Sequence, residues 1–194
     1  MPYTNETMQT IAADLRMSAD HTNLPAAAMD AVDSRSLKDL KLNISTVLKS
    51  THLSRKEALL LALAAAVNEK HPALTQSFLD LSREEDASEA EIAEIMACVS
   101  VMNANNVLYR FRHYMHTNET YAKSAPGMRM SVMMNPVLGK EFFELVSLGV
   151  SALNGCERCV QSHEQSVKDH GATEARIFDA IRIVSVIKSA CVVL

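Results

Sequence analysis

The chain has 194 residues, enough for one large domain or two very small ones. It contains only five glycines and five prolines. Sandwiches and barrels place these residues at their turns, so the composition argues against an all-β fold. A net charge of −4 and a pI near 6.0 offer no basic surface, so no nucleic-acid partner is expected, and 48% hydrophobic residues exclude a disordered chain.

The first 25 residues carry Asn5, Glu6, Asp14, Arg16 and Asp20 without the apolar stretch of a signal peptide. A helix is expected from Asn5 to Met17. The longest apolar run, Ala58 to Val67, has ten residues, about half a membrane span. The expectation is a cytoplasmic protein with no membrane partner.

Helical periodicity then recurs with recognisable boundaries. Ser54 and Glu57 form a capping box for a helix running to about Lys70. His71-Pro72 breaks it, and a second helix runs to about Ser82. Ser88 and Glu91 cap a third, apolar at Ile92, Ile95, Met96, Val99 and Met102. Residues 126–139, with Asn135-Pro136 inside, form the main irregular connection. A helix from Gly139 stops near Asn154-Gly155, another runs from Cys156 to His170-Gly171, and Thr173 opens the last. No period-two alternation is present, so the fold class is all-α.

The chain also repeats itself. Lys56-Glu57 recurs as Lys140-Glu141, residues 87–92 recur as 172–177, and residues 99–101 as 184–186, at offsets of 84 or 85. The expectation is two copies of a three-helix unit, the first over about 54–104 and the second over about 139–194. Shifted back by the offset, Cys156 falls on Pro72 or His71, Cys159 on Thr75 or Leu74, and His163 on Leu79 or Phe78. At 84, Glu144 falls on Leu60. Reactive side chains occupy only the second copy, so the first reads as scaffold.

Those side chains are Cys156 and Cys159, with His163 four residues further and Glu144 twelve residues before Cys156. Positions 156, 159 and 163 fall within roughly 60° of one another on a helix face. Helix residues three apart stand about 5–6 Å apart, inside the range of a disulfide, so the pair can cycle between dithiol and disulfide. Cys156 lies in the first turn, where unpaired N–H groups and the helix dipole favour a thiolate. His163 can take a proton from Cys159, and Glu144 can hold the imidazole tautomer. A thiolate of this kind attacks a peroxide oxygen, forms a sulfenic acid and condenses with its neighbour.

Two other chemistries fit the same residues. A protein disulfide reductase would use the same pair and would turn over protein disulfides faster than hydroperoxides. A non-catalytic helical module could hold zinc on Cys156, Cys159, His163 and Glu144, although a structural zinc site draws on two separated clusters and no second one is present; metal analysis separates that case. Cys98 and Cys191 read as buried core. His52, His71, His113, His116 and His170 read as surface or capping groups. Met128, Met130, Met133 and Met134 read as a soft packing strip rather than a ligand box, and Asn105-Asn106 with Tyr109, Arg110 and Arg112 as a capping and ion-pair network, with a substrate or subunit contact as the alternative.

The residues around this site resemble the AhpD-type alkyl hydroperoxidases of the carboxymuconolactone decarboxylase-like superfamily. That family's pattern is Glu, eleven residues, CxxC, and His four beyond the second Cys, and Glu144, Cys156, Cys159 and His163 match every spacing. Residues 39–43, 105–110, 126–130, 135–136 and 143–145 also look like stretches of it, and the likeness covers about 36–194. The resemblance implies a helical fold with an internal duplication, assembled as a homotrimer. It implies a thiol peroxidase acting on hydroperoxides through a redox-active Cys156–Cys159 disulfide, with no tightly bound cofactor and no metal. The implied reductant is an external lipoyl group on an acyltransferase served by dihydrolipoamide dehydrogenase, and a peroxiredoxin is a further implied partner. The likeness favours Cys159 as the attacking thiol, whereas the helix-dipole argument favours Cys156. AhpD often has His before the second Cys, where this chain has Arg158. Residues 1–35 fall outside the match and are expected to form a helical arm.

Overall fold

The computed structural model describes residues 3–18, 21 and 23–194. Residues 1, 2, 19, 20 and 22 of the expected arm lie outside the described residues. Among the described residues the chain forms ten α-helices, a 3-10 turn at Ser131–Met133, and no strand. The helices are α1 (Glu6–Asp14), α2 (Leu24–Asp30), α3 (Arg35–Val47), α4 (Arg55–Asn68), α5 (Pro72–Glu84), α6 (Glu89–Tyr114), α7 (Glu119–Lys123), α8 (Lys140–Leu153), α9 (Glu157–Asp169) and α10 (Glu174–Val193).

Local chemistry sets the helix starts. At α4 the Ser54 hydroxyl accepts the Glu57 N–H at 3.2 Å, and the Glu57 carboxylate accepts the Ser54 N–H at 2.8 Å. Ser88 and Glu91 repeat the reciprocal pair at α6. At α5 a proline occupies the first turn and the His71 imidazole Nδ1 accepts the Leu74 N–H at 3.1 Å. The Thr173 hydroxyl caps α10 by accepting from Arg176 N.

Two helices have no solvent face over most of their length. Residues 58–66 of α4 and residues 142–151 of α8 are all buried. These two pack on each other, with α5, α6 and α10 around α4, and α6, α9 and α10 around α8. The alanines of α4 leave room for such close neighbours. So does Gly149 on α8, where a Cβ would stand 3.1 Å from Val184 Cγ1 on α10. Phe78 and Phe143 are fully buried in this core, and each contributes about 1.5–3 kcal/mol by leaving water.

Helices α4, α5 and α6 begin at Arg55, Pro72 and Glu89; α8, α9 and α10 begin at Lys140, Glu157 and Glu174, each 85 residues further on. Arg176, in the first turn of α10, links the two sets. Its guanidinium donates to Glu57 Oε1 at 2.6 Å and to Glu141 Oε1 at 2.9 Å.

The N-terminal segment supplies two helices rather than one. Met8, Ile11 and Leu15 are buried as α1 packs on α3, and α2 packs on α3 and α10. No helix among the described residues is long and apolar enough to cross a membrane.

Candidate active site

The connection between α8 and α9 positions the cysteines. Asn154 closes α8, and Gly155 follows with φ +65°, a left-handed conformation that a side chain disfavours. The chain reverses there, so that Cys156 becomes the N-cap of α9 and Cys159 lies in its first turn. Asn154 is held from α6: its Nδ2 donates to Asn106 Oδ1 at 2.9 Å, and its carbonyl oxygen accepts from Arg110 Nη1 at 2.5 Å. Asn106 Nδ2 in turn donates to the buried Ser151 hydroxyl at 2.9 Å.

Cys156 and Cys159 form a disulfide with Cα atoms 5.3 Å apart. Their exposures differ in a way that matters. Cys156 is fully buried, whereas Cys159, itself only 6% exposed, forms part of the wall of a cavity of about 300 Å³. Its other wall residues include Asn105, Tyr109, Met130, Met133 and His163, with Arg158 exposed beside them. A larger cavity of about 580 Å³, against α1 and α3, contains none of the cysteines. Reactive side chains single out the smaller one.

His163 stands on α9 one turn beyond Cys159, and its Nδ1 lies 2.7 Å from Glu144 Oε2 on α8. A carboxylate can only accept, so Nδ1 carries the hydrogen and a neutral ring has its lone pair on Nε2. Burial alone would raise the Glu144 carboxyl. Hydrogen bonds from His163 and Lys140, with their charges, overcome that penalty and hold it down at about 2. Lys140, one turn earlier on α8, reaches Glu144 Oε1 at 2.9 Å and the Met133 carbonyl oxygen at 2.9 Å. It thereby joins the carboxylate to the turn that walls the cavity. The buried Glu94 of α6 holds the same connection from below, accepting the N–H groups of Val137 and Leu138 at 2.8 and 2.7 Å.

All four residues singled out by spacing therefore meet: Glu144, Cys156, Cys159 and His163. Cys98 is buried beside Ser147, and burial pushes its thiol up to about 12. Cys191 is half-buried rather than buried, and burial raises it likewise to about 12. His71 is a cap, as expected, and His52 Nδ1 lies 2.9 Å from Asp179. No group of three or more His, Cys, Asp or Glu side chains stands arranged to hold a metal among the described residues.

Several residues around the site were not assigned to it by sequence reasoning. Lys140 was visible as half of the repeated Lys-Glu pair, but nothing in that pattern pointed to Glu144. Glu94 carried no signal at all. The Asn105–Arg112 segment, read as a capping network, is one for Asn106 and Arg110, yet Asn105 and Tyr109 line the cysteine cavity. Met130 and Met133 of the methionine strip line it too.

The sequence profile of the Carboxymuconolactone decarboxylase family matches residues 120–192. The fold is similar to the solved structure of a gamma-carboxymuconolactone decarboxylase subunit from Burkholderia xenovorans LB400, with a TM-score of 0.64 over 96% of this chain and 94% of that one at 14% identity. Alkyl hydroperoxide reductase AhpD of Anaeromyxobacter dehalogenans is 37% identical over 171 residues, covering 87% of this chain and 91% of the relative. AhpD of Azorhizobium caulinodans is 36% identical over 180 residues, 93% of each chain. The chain belongs to the AhpD family of alkyl hydroperoxide reductases.

Proposed function

We propose that the protein is an oxidoreductase, a thiol peroxidase that reduces alkyl hydroperoxides with Cys156 and Cys159. The observation carrying this reading is the placement of Cys159 in one cavity with His163, whose ring is oriented by a buried, ionised Glu144. In the reduced protein His163 takes the Cys159 proton, and the thiolate attacks the outer oxygen of the hydroperoxide. The S–O bond forms, the O–O bond breaks, and the departing alkoxide recovers a proton as the alcohol. Cys156 then attacks the Cys159 sulfenic acid, releasing water and forming the disulfide. A dithiol returns the two electrons.

The reading takes that dithiol to be a dihydrolipoyl group, carried on an acyltransferase and kept reduced by dihydrolipoamide dehydrogenase, with a peroxiredoxin as a further electron acceptor. The reading also includes cytoplasmic residence and a homotrimer. In support of an assembly, Val107, Phe111 and Tyr114 of α6 follow one another at helical spacing and are all exposed. The decisive experiment is peroxide consumption with reduced lipoamide as sole donor, compared with thioredoxin as sole donor. Turnover is expected with lipoamide, and turnover with neither donor rejects the reading.

We further propose that α4–α6 and α8–α10 are two copies of one unit, placed after an N-terminal segment of about 35 residues. The constant spacing of 85 between helix starts supports this reading. At that offset Glu144, Cys159 and His163 correspond to Leu59, Leu74 and Phe78, all fully buried. Cys156 corresponds to His71, and each is an N-cap. The sequence offset of 84 had pointed to Leu60 and Leu79, of which Leu79 is only half-buried. The first copy is scaffold in this reading.

A further inference from the structure

The wall of the cysteine cavity contains a polar side chain that the thiol, imidazole and carboxylate do not use. Asn105 is 6% exposed, and its Nδ2 donates to Met130 Sδ at 3.0 Å. A thioether sulfur only accepts, so the amide is oriented with its NH₂ toward Met130 and Oδ1 turned away. That oxygen is buried and accepts no hydrogen bond. A buried amide oxygen without a donor carries an uncompensated desolvation cost.

The neighbouring amide shows that this is not a property of the segment. Asn106 satisfies both ends, donating to Ser151 and accepting from Asn154. The other buried side-chain atoms without a partner among the described residues belong to Tyr3, Asn23 and Ser82, and none of these residues lines the cavity. The residue that carries the orphan acceptor and the reactive cysteine therefore line one cavity, with the oxygen itself sealed in the disulfide form. The disulfide form has no S–H or O–H on Cys159 to offer. Met130 and Met133, unbranched chains that change rotamer at low cost, form the adjoining surface.

Resting on the peroxidase reading, we propose that Asn105 Oδ1, sealed in the disulfide form and uncovered when Met130 changes rotamer, is a substrate-binding group that accepts the O–H of the hydroperoxide. Tyr109, Met130 and Met133 supply the apolar surface for its alkyl part. As Cys159 sulfur bonds to the outer oxygen and the electron pair of the O–O bond leaves on the alkoxide, the hydrogen stays on the transferred oxygen. It remains directed at Asn105 in the sulfenic acid, and the alkoxide takes the proton that Cys159 had given to His163. The site thereby selects oxidants of the form ROO–H over electrophiles with no hydrogen to donate.

The test uses the pre-reduced full chain and counts thiols after rapid quenching, with tert-butyl hydroperoxide and N-ethylmaleimide, which has no N–H or O–H, as separate electrophiles. Asn105→Leu is expected to slow oxidation by the hydroperoxide by roughly tenfold, the worth of one hydrogen bond. Alkylation of Cys159 by N-ethylmaleimide should stay within about twofold, and the melting temperature should not fall, since an unsatisfied acceptor has been removed. Asn105→Ser, smaller but still an acceptor, should recover part of the rate, and it serves as the reading variant if the leucine protein does not fold. Equal slowing with both electrophiles, or no slowing with either, overturns the proposal. If the wild-type reduced protein resists tert-butyl hydroperoxide altogether, the peroxidase reading falls and takes this inference with it.

Discussion

Glu144 and His163 are nineteen residues apart and on different helices, yet their side chains meet at 2.7 Å with the carboxylate nearly sealed from water. The turn at Gly155 brings α9 back along α8, and the pairing follows from that reversal. Orientation and ionisation are therefore coupled, because the bond that selects the imidazole tautomer also holds the carboxylate charged.

Replacing either partner should show that coupling. His163→Phe is expected to slow hydroperoxide reduction by roughly 10²–10⁴, the range for a general base. Glu144→Gln should cost the same or less. The double variant should be no slower than the His163 variant within about threefold, because groups acting as one unit are not additive. Steady-state rates on the three proteins decide it, and multiplied losses would mean that Glu144 acts on something other than the ring.

Acid should weaken the fold through the same residue. The Glu144 carboxyl is lowered from its ordinary 4.5 to about 2 in the folded state. A depressed carboxyl stabilises above its unfolded value, so this contribution is complete above about pH 4.5 and is lost as pH falls toward 2, on the order of a few kcal/mol. Urea midpoints measured from pH 6 to about pH 2.5 should decline more steeply for wild type than for Glu144→Gln. Parallel curves would contradict the assignment.

Oxidation should leave half of the thiols untouched. One equivalent of hydroperoxide added to the reduced protein should remove two of the four cysteines from a denaturing thiol assay, with the bridge mapping to Cys156–Cys159. Cys98 and Cys191 are pushed up to about 12 by burial, which leaves them almost wholly protonated and unreactive. A bridge through either one as the main product would refute this division.

The scaffold reading of the first copy predicts stability effects without chemical ones. Phe78→Ala should cost about 3–5 kcal/mol and Leu74→Ala about 2–5 kcal/mol, as for buried side chains that leave cavities. Turnover per folded site should stay near wild type in both. Denaturant melts together with kinetics normalised to titratable active thiol pairs measure the two halves separately.

Much of this architecture was legible because it is written in local chemistry. Capping pairs at Ser54 and Ser88, the His71-Pro72 break and the Asn154-Gly155 stop each act within one helical turn, so their residues alone locate them. The four reactive residues were legible because three lie on one helix end and the fourth on the helix just before it. What escaped was long-range. The apolar stripe of α6 ends at Met102, but the helix runs on to Tyr114, and its buried face continues three and four residues later as Asn105 and Asn106. Polar residues at core positions break a hydrophobic pattern without breaking the helix. Glu94 and Lys140 escaped for a related reason: each acts on backbone groups of the 131–139 connection, whose path is set only by the packed fold.

The unequal burial of the two sulfurs also gives the disulfide a single reactive side. With Cys156 fully buried at the N-cap of α9 and Cys159, 6% exposed, at the cavity wall, the proposed cycle has an incoming thiolate attack Cys159. Cys156 must then be the sulfur expelled, and the helix end that stabilises a negative charge makes it a good leaving group. In the proposed cycle the two arguments that pull the cysteines toward opposite roles in sequence describe opposite halves: His163 arms Cys159 against peroxide, and the helix end favours Cys156 as the sulfur expelled when the reductant attacks Cys159. After one equivalent of hydroperoxide has made the Cys159 sulfenic acid, a Cys156→Ser protein should accordingly capture a monothiol as a mixed disulfide on Cys159 with release of water, while Cys159→Ser should capture none.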